Sequence, residues 1–470
     1  MMHGLIASAK VLYGSLPAPF RGAGASAYGW YLRWWRYGPE TDSLVSAALE
    51  RETWDDERWQ EFRDARLAEI LYRAATRVPY YRDQWRSRRA AGDDASRGEL
   101  ANWPILGKET VRIAPHAFLA DDVNHNRLFR LSTSGTSGTP ITTWRSRRTM
   151  RDWYALFEAR TRIWYDVDRS MPWAILGGQI VAPAGQTEPP FWVWNSGLRQ
   201  LYLSSLHINE LNAAAYLGAM RFHRVRYLLG YASSMYWLAS YAHDQGLEAP
   251  PLSVVISNAE ALLPHQRELI GRVFGCPVRD TYGMSEIVAA ATECAHGAMH
   301  VWPEVGVIEV VDDHGNPALP GVAGRLVCTG LLNRDMPLIR YETEDRGMLD
   351  PVHVEPCSCG RRLPTLGRIE GRASDVLLAA DGRRVFWYNA QFYDLPIREG
   401  QVVQEVLGAV HVNVVPGTGY TAKTEEVIQQ RVRQRLGEVR VEVYTLTSIP
   451  RGPNGKFRAV VNRVVAGDVG

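Results

Sequence analysis

The chain reads as an α/β protein: a large N-terminal part of β-sheets and helices, followed by a small α+β C-terminal unit. Three observations predict this. Short β-rich runs alternate with helical patterns through the middle of the chain. A separate strand–helix–strand pattern occupies residues 410–443. And 470 residues are too many for one ordinary core.

Residues 40–90 are predicted helical. In RWQEFRDARLAEILYRAATRVPYY, residues 58–81, apolar Trp59, Phe62, Leu67, Ile70, Leu71 and Ala74 recur at helical spacing, and Pro79 marks an end. Upstream, YGWYLRWWRY (28–37) interleaves rings with Arg33 and Arg36. Such a cluster can lie at a lipid interface or stack on bases. Packing of the rings on the body, with the arginines as rim, is the favoured reading, because one short cluster lacks an extended basic face. Val254 to Ile256 reads as a buried strand. Leu263 to Phe274 reads as a helix with Pro264 in its first turn and Leu269, Ile270, Val273 and Phe274 on one face. Near the end, Val410, Val412 and Val414 alternate as a strand. Val427, Ile428, Val432 and Leu436 form a helical stripe, and Val439, Val441 and Val443 alternate again. A glycine-rich, charged passage places the domain boundary between residues 371 and 372, giving units 1–371 and 372–470.

Composition excludes several classes. Hydrophobic residues make up 46% and charged residues 22%, which is globular rather than disordered. With 53 basic and 51 acidic residues the net charge is +2, so no global field points to nucleic acid or a membrane surface. No apolar run approaches the ~20 residues needed to span a bilayer. The N-terminus has a weak basic lead and no cleavage site of signal-peptide type. Five cysteines make no disulfide framework, and a cytoplasmic location is expected.

TSGTSGTP, residues 133–140, follows apolar Leu128, Phe129 and Leu131. Its glycines let backbone amides turn toward an anion, and its hydroxyls add donors without bulk. It is not a Walker loop, since no lysine follows Gly138, and it does not match a nucleophile elbow. Alone, it reads as a surface loop. Other stretches change that balance. DTYGMSE (280–286) supplies a ring for a purine face and a carboxylate for Mg²⁺. RYETED (340–345) supplies a carboxylate suited to ribose hydroxyls. PNGKFR (453–458) places a lysine on a turn, able to stabilise charge developing on an α-phosphate.

Together these motifs resemble the adenylate-forming superfamily of acyl-CoA synthetases, adenylation domains and luciferases. The resemblance is closest to the phenylacetate–CoA ligase family and its capsular-polysaccharide-type relatives. The set runs in the family's order: TSGTSGTP, ISNAE (256–260), DTYGMSE, RYETED, GRASD (371–375) and GPNGK (452–456). The closer branch shows in VPYYRDQW (78–85), LYLSSLHIN (201–209), LLGYASS (228–234) and MPLIRYE (336–342). It covers nearly the whole chain from about residue 45 onward.

The resemblance implies roles residue by residue. Thr133, Ser134, Gly135, Thr136, Ser137, Gly138 and Thr139 would wrap the ATP phosphates. Ser257, Asn258, Ala259 and Glu260, with Asp280, Thr281, Tyr282 and Gly283, would line the adenine and acyl pocket, Tyr282 lying against the base. Glu286 would hold Mg²⁺. Asp345 would hold the ribose, assisted by Arg372 or Arg368. Lys456 would be the catalytic lysine, carried on a C-terminal domain that moves between two half-reactions. Three departures stand out: Ser374 and Asp375 at the hinge, Glu344 where glycine is common, and a looser Ala379–Val385 strand.

Cys294, in ECAHGAMH, and Cys357 and Cys359, in PCSCG, offer three sulfur ligands. With a histidine they complete a four-ligand structural zinc site. His300 is preferred on the subfamily pattern, with His296 the alternative. Cys276 and Cys328 sit beside apolar strand residues and read as packing. The resemblance brings His207 and Tyr231 near the acid pocket, although a lone histidine is as often structural. Trp173, Trp192 and Trp194 suit an aromatic acid pocket and core packing equally.

The expected activity is ATP- and Mg²⁺-dependent activation of a small carboxylic acid, followed by transfer to coenzyme A. Amide formation with an amine is the alternative, and a non-catalytic nucleotide-binding protein is disfavoured by the presence of Lys456, Glu286 and Asp345. No nucleic-acid or membrane partner is expected, and no oligomeric state is assigned.

Overall fold

The computed structural model describes residues 16, 18–132, 140–179, 181–183, 185–319, 321–350, 357–372, 376–386, 392, 394–452 and 455–464. The predicted phosphate loop at 133–139, the hinge residues Ser374 and Asp375, and Pro453 and Asn454 lie outside these.

The helical stretch at 40–90 divides into three: α2 (Thr41–Arg51), α3 (Asp56–Arg77) and α4 (Pro79–Ala90), preceded by α1 (Ala18–Arg36). Pro79 both ends and begins a helix. Val78 stays extended as the C-cap of α3 and the N-cap of α4, because a residue before proline avoids the helical region. The proline then fits the first turn of α4, where its missing N–H costs nothing. The aromatic cluster corrects the sequence reading. Leu32 and Trp35 of α1 pack inward, but Tyr28, Trp30, Tyr31 and Trp34 are exposed.

The central sheet has twelve strands. One half is built from β3 (Trp173–Gly177), β4 (Trp192–Asn195), β5 (Gln200–Ser204), β6 (Tyr227–Gly230), β7 (Val254–Ser257) and β8 (Val278–Gly283). The strands run in the order β8-β7-β6-β3-β5-β4, parallel except for the edge strand β4. After helices α5 (Lys108–Ile113) and α6 (Arg147–Phe157), crossover helices α7 (Ala213–Phe222), α8 (Ala232–Asp244) and α9 (Pro264–Phe274) return the chain. Side-chain alternation explains the continuous apolar runs. Trp173, Tyr227, Leu229, Val254 and Ile256 pack on one face, while Ala174, Leu176, Leu228 and Val255 pack on the other beneath the crossover helices.

The other half is antiparallel. Its strands are β9 (Ala290–Glu293), β10 (Met299–Val301), β11 (Gly306–Val311), β12 (Gly324–Gly330), β13 (Tyr341–Leu349) and β14 (Thr365–Arg372). Strand β8 belongs to both halves, pairing parallel with β7 and antiparallel with β9. A short hairpin of β1 (Phe129–Ser132) and β2 (Thr142–Arg145) lies apart from the sheet, and Ser132 pairs with Thr142 across the loop positions.

Beyond residue 376 a small hairpin, Val376–Leu378 with Arg384–Phe386, precedes a four-stranded sheet. That sheet holds Ile397–Val406, Ala409–Pro416, Arg440–Thr445 and Val460–Asn462, covered by a helix at Ala422–Leu436. The predicted stripe of Ile428, Val432 and Leu436 meets Val410, Val412, Val414, Val439 and Val441 in a core of its own.

A buried ion network joins the helical N-terminal region to the sheet. Arg160, fully buried, donates to both oxygens of Glu304 at 2.6 and 2.7 Å and lies 3.7 Å from Glu52. Arg51 also donates to Glu304, at 2.7 Å. Burial alone would raise the Glu304 carboxyl, but the two guanidiniums hold it below its ordinary value. Glu304→Gln leaves two cations short of a partner, so we expect a loss of about 3 kcal/mol or more, read as a lower urea midpoint. An unchanged midpoint would refute this account of the network.

Candidate functional site

The parallel strands place their carboxyl ends along one edge of the sheet, where ligands bind in open α/β architectures. Sequence-predicted residues meet there from separate segments. His207 follows β5, Tyr231 follows β6, Ser257 to Glu260 close β7, and Asp280 to Gly283 close β8.

Ser257 is buried, and its carbonyl accepts from Thr281 Oγ1 at 2.7 Å. The Asn258 N–H donates to the Gly230 carbonyl at 3.0 Å. Ala259 then takes a left-handed turn, φ 63°, unusual for a residue with a Cβ. The turn leads to Glu260, whose Oε2 accepts from the Ser233 N–H at 3.0 Å. Ser233 lies in the first turn of α8, so the carboxylate satisfies an amide that the helix leaves unpaired. The other oxygen, Oε1, accepts from the Phe457 N–H at 2.9 Å. Glu260 thus clasps the segment that carries Lys456.

That clasp seats the lysine. Lys456 Nζ lies 5.5 Å from the centre of the Tyr231 ring. Burial pushes the Tyr231 phenol up to about 12, and Glu260 adds to the rise. Gly455 has φ 73°, and a Cβ there would sit 2.3 Å from Ser205 Oγ. Only glycine meets both conditions. A second tie lies nearby: Trp237 Nε1 of α8 donates to Glu399 Oε1 at 2.6 Å, and Arg451 also donates to that oxygen. Burial raises the Glu399 carboxyl, against the pull of Arg451 and Trp237. Arg398 pairs with Asp244 at 2.7 Å. Sequence reasoning missed Trp237, Glu399 and Arg451, and nothing in the local pattern separates Trp237 from a core aromatic.

Three carboxylates remain: Asp345, Glu286 and Asp280. Tyr282 OH donates to Asp345 Oδ2 at 2.9 Å, joining the residue expected at the base to the one expected at the ribose. Burial, and then the Asp345 charge, push that phenol well above its ordinary range. Strand register sets Arg372 opposite Asp345, while the side chains of Arg368 and Arg372 lie outside the described residues. Glu286 is buried and accepts from Tyr341 OH at 3.0 Å. Arg145, whose pKa burial lowers to about 10, donates to the adjacent Ser285 carbonyl. Asp280 is pushed up to about 7 by burial, opposed by its hydrogen bond from the Thr281 N–H and assisted by neighbouring Glu293.

His207 keeps its polar edge inside the protein. Its Nε2 donates to the Pro183 carbonyl at 3.0 Å, which leaves Nδ1 to accept from Ser204 Oγ at 2.7 Å. Its ring stacks on Phe191 with centres 4.7 Å apart. Of the tryptophans, Trp173 packs on Tyr227 and Trp194 on His223.

The cysteine residues converge elsewhere. Ligand atoms of Cys294, His300, Cys357 and Cys359 all lie within 4.8 Å of one another. Cys294 and Cys357 sulfurs are 3.9 Å apart, and Cys359 Sγ is 3.3 Å from His300 Nε2. Tetrahedral zinc with ~2.3 Å bonds to sulfur puts ligand sulfurs about 3.8 Å apart, so the set fits that ion. His300 Nδ1 lies 3.1 Å from the Leu363 carbonyl, the second contact that orients a ligating imidazole. His296 instead lends its backbone N–H to Cys294 Sγ.

Comparison with known proteins agrees with this architecture. Residues 384–463 match the family model of the CapK C-terminal domain. Protein CapK of Staphylococcus aureus is 24% identical over 413 residues, covering 86% of this chain and 89% of CapK. A phenylacetate–coenzyme A ligase of Pseudomonas putida is 26% identical over 328 residues, 67% of this chain and 70% of that one. Among solved structures, 2-hydroxyisobutyryl-CoA ligase in its postadenylation state with 2-HIB-AMP overlays with a TM-score of 0.64 at 20% identity, covering 88% and 91% of the two chains. The same ligase in its thioesterification state overlays at 0.52, again at 20% identity and with the same coverage.

Glu344 carries a prediction. Its φ is 65°, the left-handed region, and its carboxylate pairs with Lys108 Nζ at 2.6 Å. A Cβ is strained there, so glycine is the residue the backbone favours. Glu344→Gly and Glu344→Ala both lose the ion pair, but only glycine relieves the strain. The glycine variant is expected to be the more stable of the two by about 1 kcal/mol, the reverse of the usual order. Thermal unfolding of both variants checks the sign.

Proposed function

We propose that this chain, whose homologues are CapK and the phenylacetate–CoA ligases and whose fold is that of the adenylate-forming ligases, activates a carboxylic acid with ATP and passes the acyl group to coenzyme A. The observation that carries this reading is the seating of Lys456 beside Tyr231, held by Glu260, at the carboxyl ends of the parallel strands. A cation placed there, more than 170 residues along the chain from Asp280 of β8, is the charge that an acid and a polyphosphate need between them.

In the first half-reaction a carboxylate oxygen bonds to the α-phosphorus as the bridge to the β-phosphate breaks and pyrophosphate leaves. The Lys456 ammonium stabilises the negative charge on the incoming carboxylate and the α-phosphate oxygens. By the sequence resemblance Thr133 to Thr139, which lie outside the described residues, would take the departing phosphates, while Asp345, bonded by Tyr282, holds the ribose. Glu286, buried with Tyr341 on one oxygen, is the carboxylate that would hold Mg²⁺, which screens phosphate charge when bound. In the second half the thiol sulfur of coenzyme A bonds to the acyl carbon, AMP leaves with the electrons of the broken C–O bond, and the thiol proton passes to solvent. The closer overlay on a postadenylation structure than on a thioesterification structure supports reading the present arrangement as that of the first half. Zinc in the Cys294–His300–Cys357–Cys359 cluster is structural in this reading, since four protein ligands leave no position open.

Pyrophosphate release over a panel of carboxylic acids, each hit then offered coenzyme A or amines, tests the function. Acid-dependent release followed by thioester formation supports it. Capture of the acyl group by amines alone replaces coenzyme A with an amine acceptor, and no acid-dependent release refutes the reading. Lys456→Ala is expected to slow pyrophosphate release by roughly a hundredfold or more and to leave transfer from a supplied acyl adenylate largely intact. Equal loss in both halves sinks the role given to the lysine. Metal analysis should find about one zinc per chain, lost in His300→Ala and retained in His296→Ala.

A further inference from the structure

A solvent-facing helix normally shows water a polar face. Helix α1 does the opposite. Among its described side chains the exposed ones are five rings, Phe20, Tyr28, Trp30, Tyr31 and Trp34, and three small residues between them, none charged. Phe20 is 63% exposed, Trp30 57% and Trp34 48%. At about 100° per residue, Phe20, Trp30, Tyr31 and Trp34 fall within roughly a 100° arc.

The orientation of that arc is set by the opposite face. Arg21, buried, donates to the Val181 carbonyl and to Gln186 at 3.4 and 3.0 Å. Leu32 and Trp35 are buried. A Cβ on Gly29 would lie 1.7 Å from Asn195 Oδ1, and one on Gly197 would lie 2.4 Å from the Trp30 nitrogen, so helix and body touch through glycine. The rings are therefore held outward by close packing.

Charge says what covers them. Residues 1–39 contain Lys10, Arg21, Arg33 and Arg36 and no Asp or Glu. The Arg33 guanidinium lies over Trp30 at 5.8 Å, and that of Arg147 over Trp34 at 3.3 Å. The next acids along the chain, Glu40 and Asp42, are already paired with Arg151 and Arg169. Two copies meeting face to face would oppose arginine to arginine with no carboxylate between them. Tryptophan, tyrosine and arginine on one helix match the boundary of an anionic lipid surface, where rings enter the headgroup layer and cations meet phosphate. Among the described residues no helix is long and apolar enough to cross a membrane, so the contact is with a surface.

We propose that α1 docks this protein onto anionic lipid surfaces through Phe20, Trp30, Tyr31 and Trp34, with Arg33 and Arg147 at the headgroups. Cosedimentation of the full chain with phosphatidylcholine vesicles, with and without phosphatidylglycerol, tests it. The chain should pellet with the anionic vesicles, less with neutral ones, and less again at high salt. Trp30→Ser combined with Trp34→Ser should lower partitioning roughly tenfold, with circular dichroism and melting temperature unchanged. Four results would each overturn the proposal. The wild type stays in the supernatant with anionic vesicles; it pellets equally without vesicles; the double variant partitions as well as the wild type; or the face instead supports a dimer or binds a single-stranded oligonucleotide while ignoring lipid.

Discussion

One strand has to satisfy both halves of the central sheet. The start of β8 follows β7 in parallel, with Val278 to Asp280 opposite Val255 to Ser257, while its end runs antiparallel to β9, with Thr281 to Gly283 opposite Ala290 to Thr292. Changing partner in six residues fixes where DTYG can lie. Asp280 sits at the junction, where its N–H donates to Glu293 at 2.8 Å, and Tyr282 lies on the antiparallel side, within reach of Asp345 on β13. Asp280 and the Tyr282–Asp345 pair are thereby tied to one backbone register. A slip of one residue would turn Tyr282 to the opposite face.

Around that strand the site is assembled from long-range pieces. Glu260 reaches Phe457, Trp237 reaches Glu399, and Tyr341 reaches Glu286. Each of these contacts uses a backbone amide or a buried polar hydrogen that would otherwise lack a partner, and so they are specific as well as stabilising. Left-handed Ala259 immediately precedes Glu260 and left-handed Glu344 immediately precedes Asp345, so strained backbone adjoins two of the residues that make these contacts.

Much of this was legible in the amino-acid order because periodicity is a local signal. Val254–Ile256, the Pro264 helix and the valine strands of the C-terminal region were visible in patterns of two and 3.6 residues. Cys294, Cys357 and Cys359 were legible because closely spaced thiolate ligands are rare and chemically distinctive, whereas preferring His300 to His296 rested on the family resemblance. Pro79 showed a boundary but not that a second helix starts on it. Trp237 and Arg451 were invisible, since their partner Glu399 depends on tertiary placement. The outward rings of α1 were misjudged for a related reason: an apolar ring in sequence does not say whether a neighbour covers it, and here Leu32 and Trp35 take the inward positions. Cys276 and Cys328 packed as their apolar surroundings suggested, with burial raising both thiols.

Glu52 connects two regions that otherwise share little. Its carboxylate accepts from Trp164 and from Arg361 at 2.7 and 2.8 Å, its carbonyl accepts from the Arg362 N–H, and Arg160 stands behind it. Arg361 and Arg362 follow directly on Cys357 and Cys359. Ordering the cysteine loop and ordering the end of α2 are therefore coupled equilibria, and thermodynamic reciprocity applies to them. An ion held by Cys294, His300, Cys357 and Cys359 would strengthen the packing of the N-terminal helices, and whatever tightens those helices would raise affinity for the ion by the same factor. Metal supply would then be a variable in the stability of a region that holds no ligand to it.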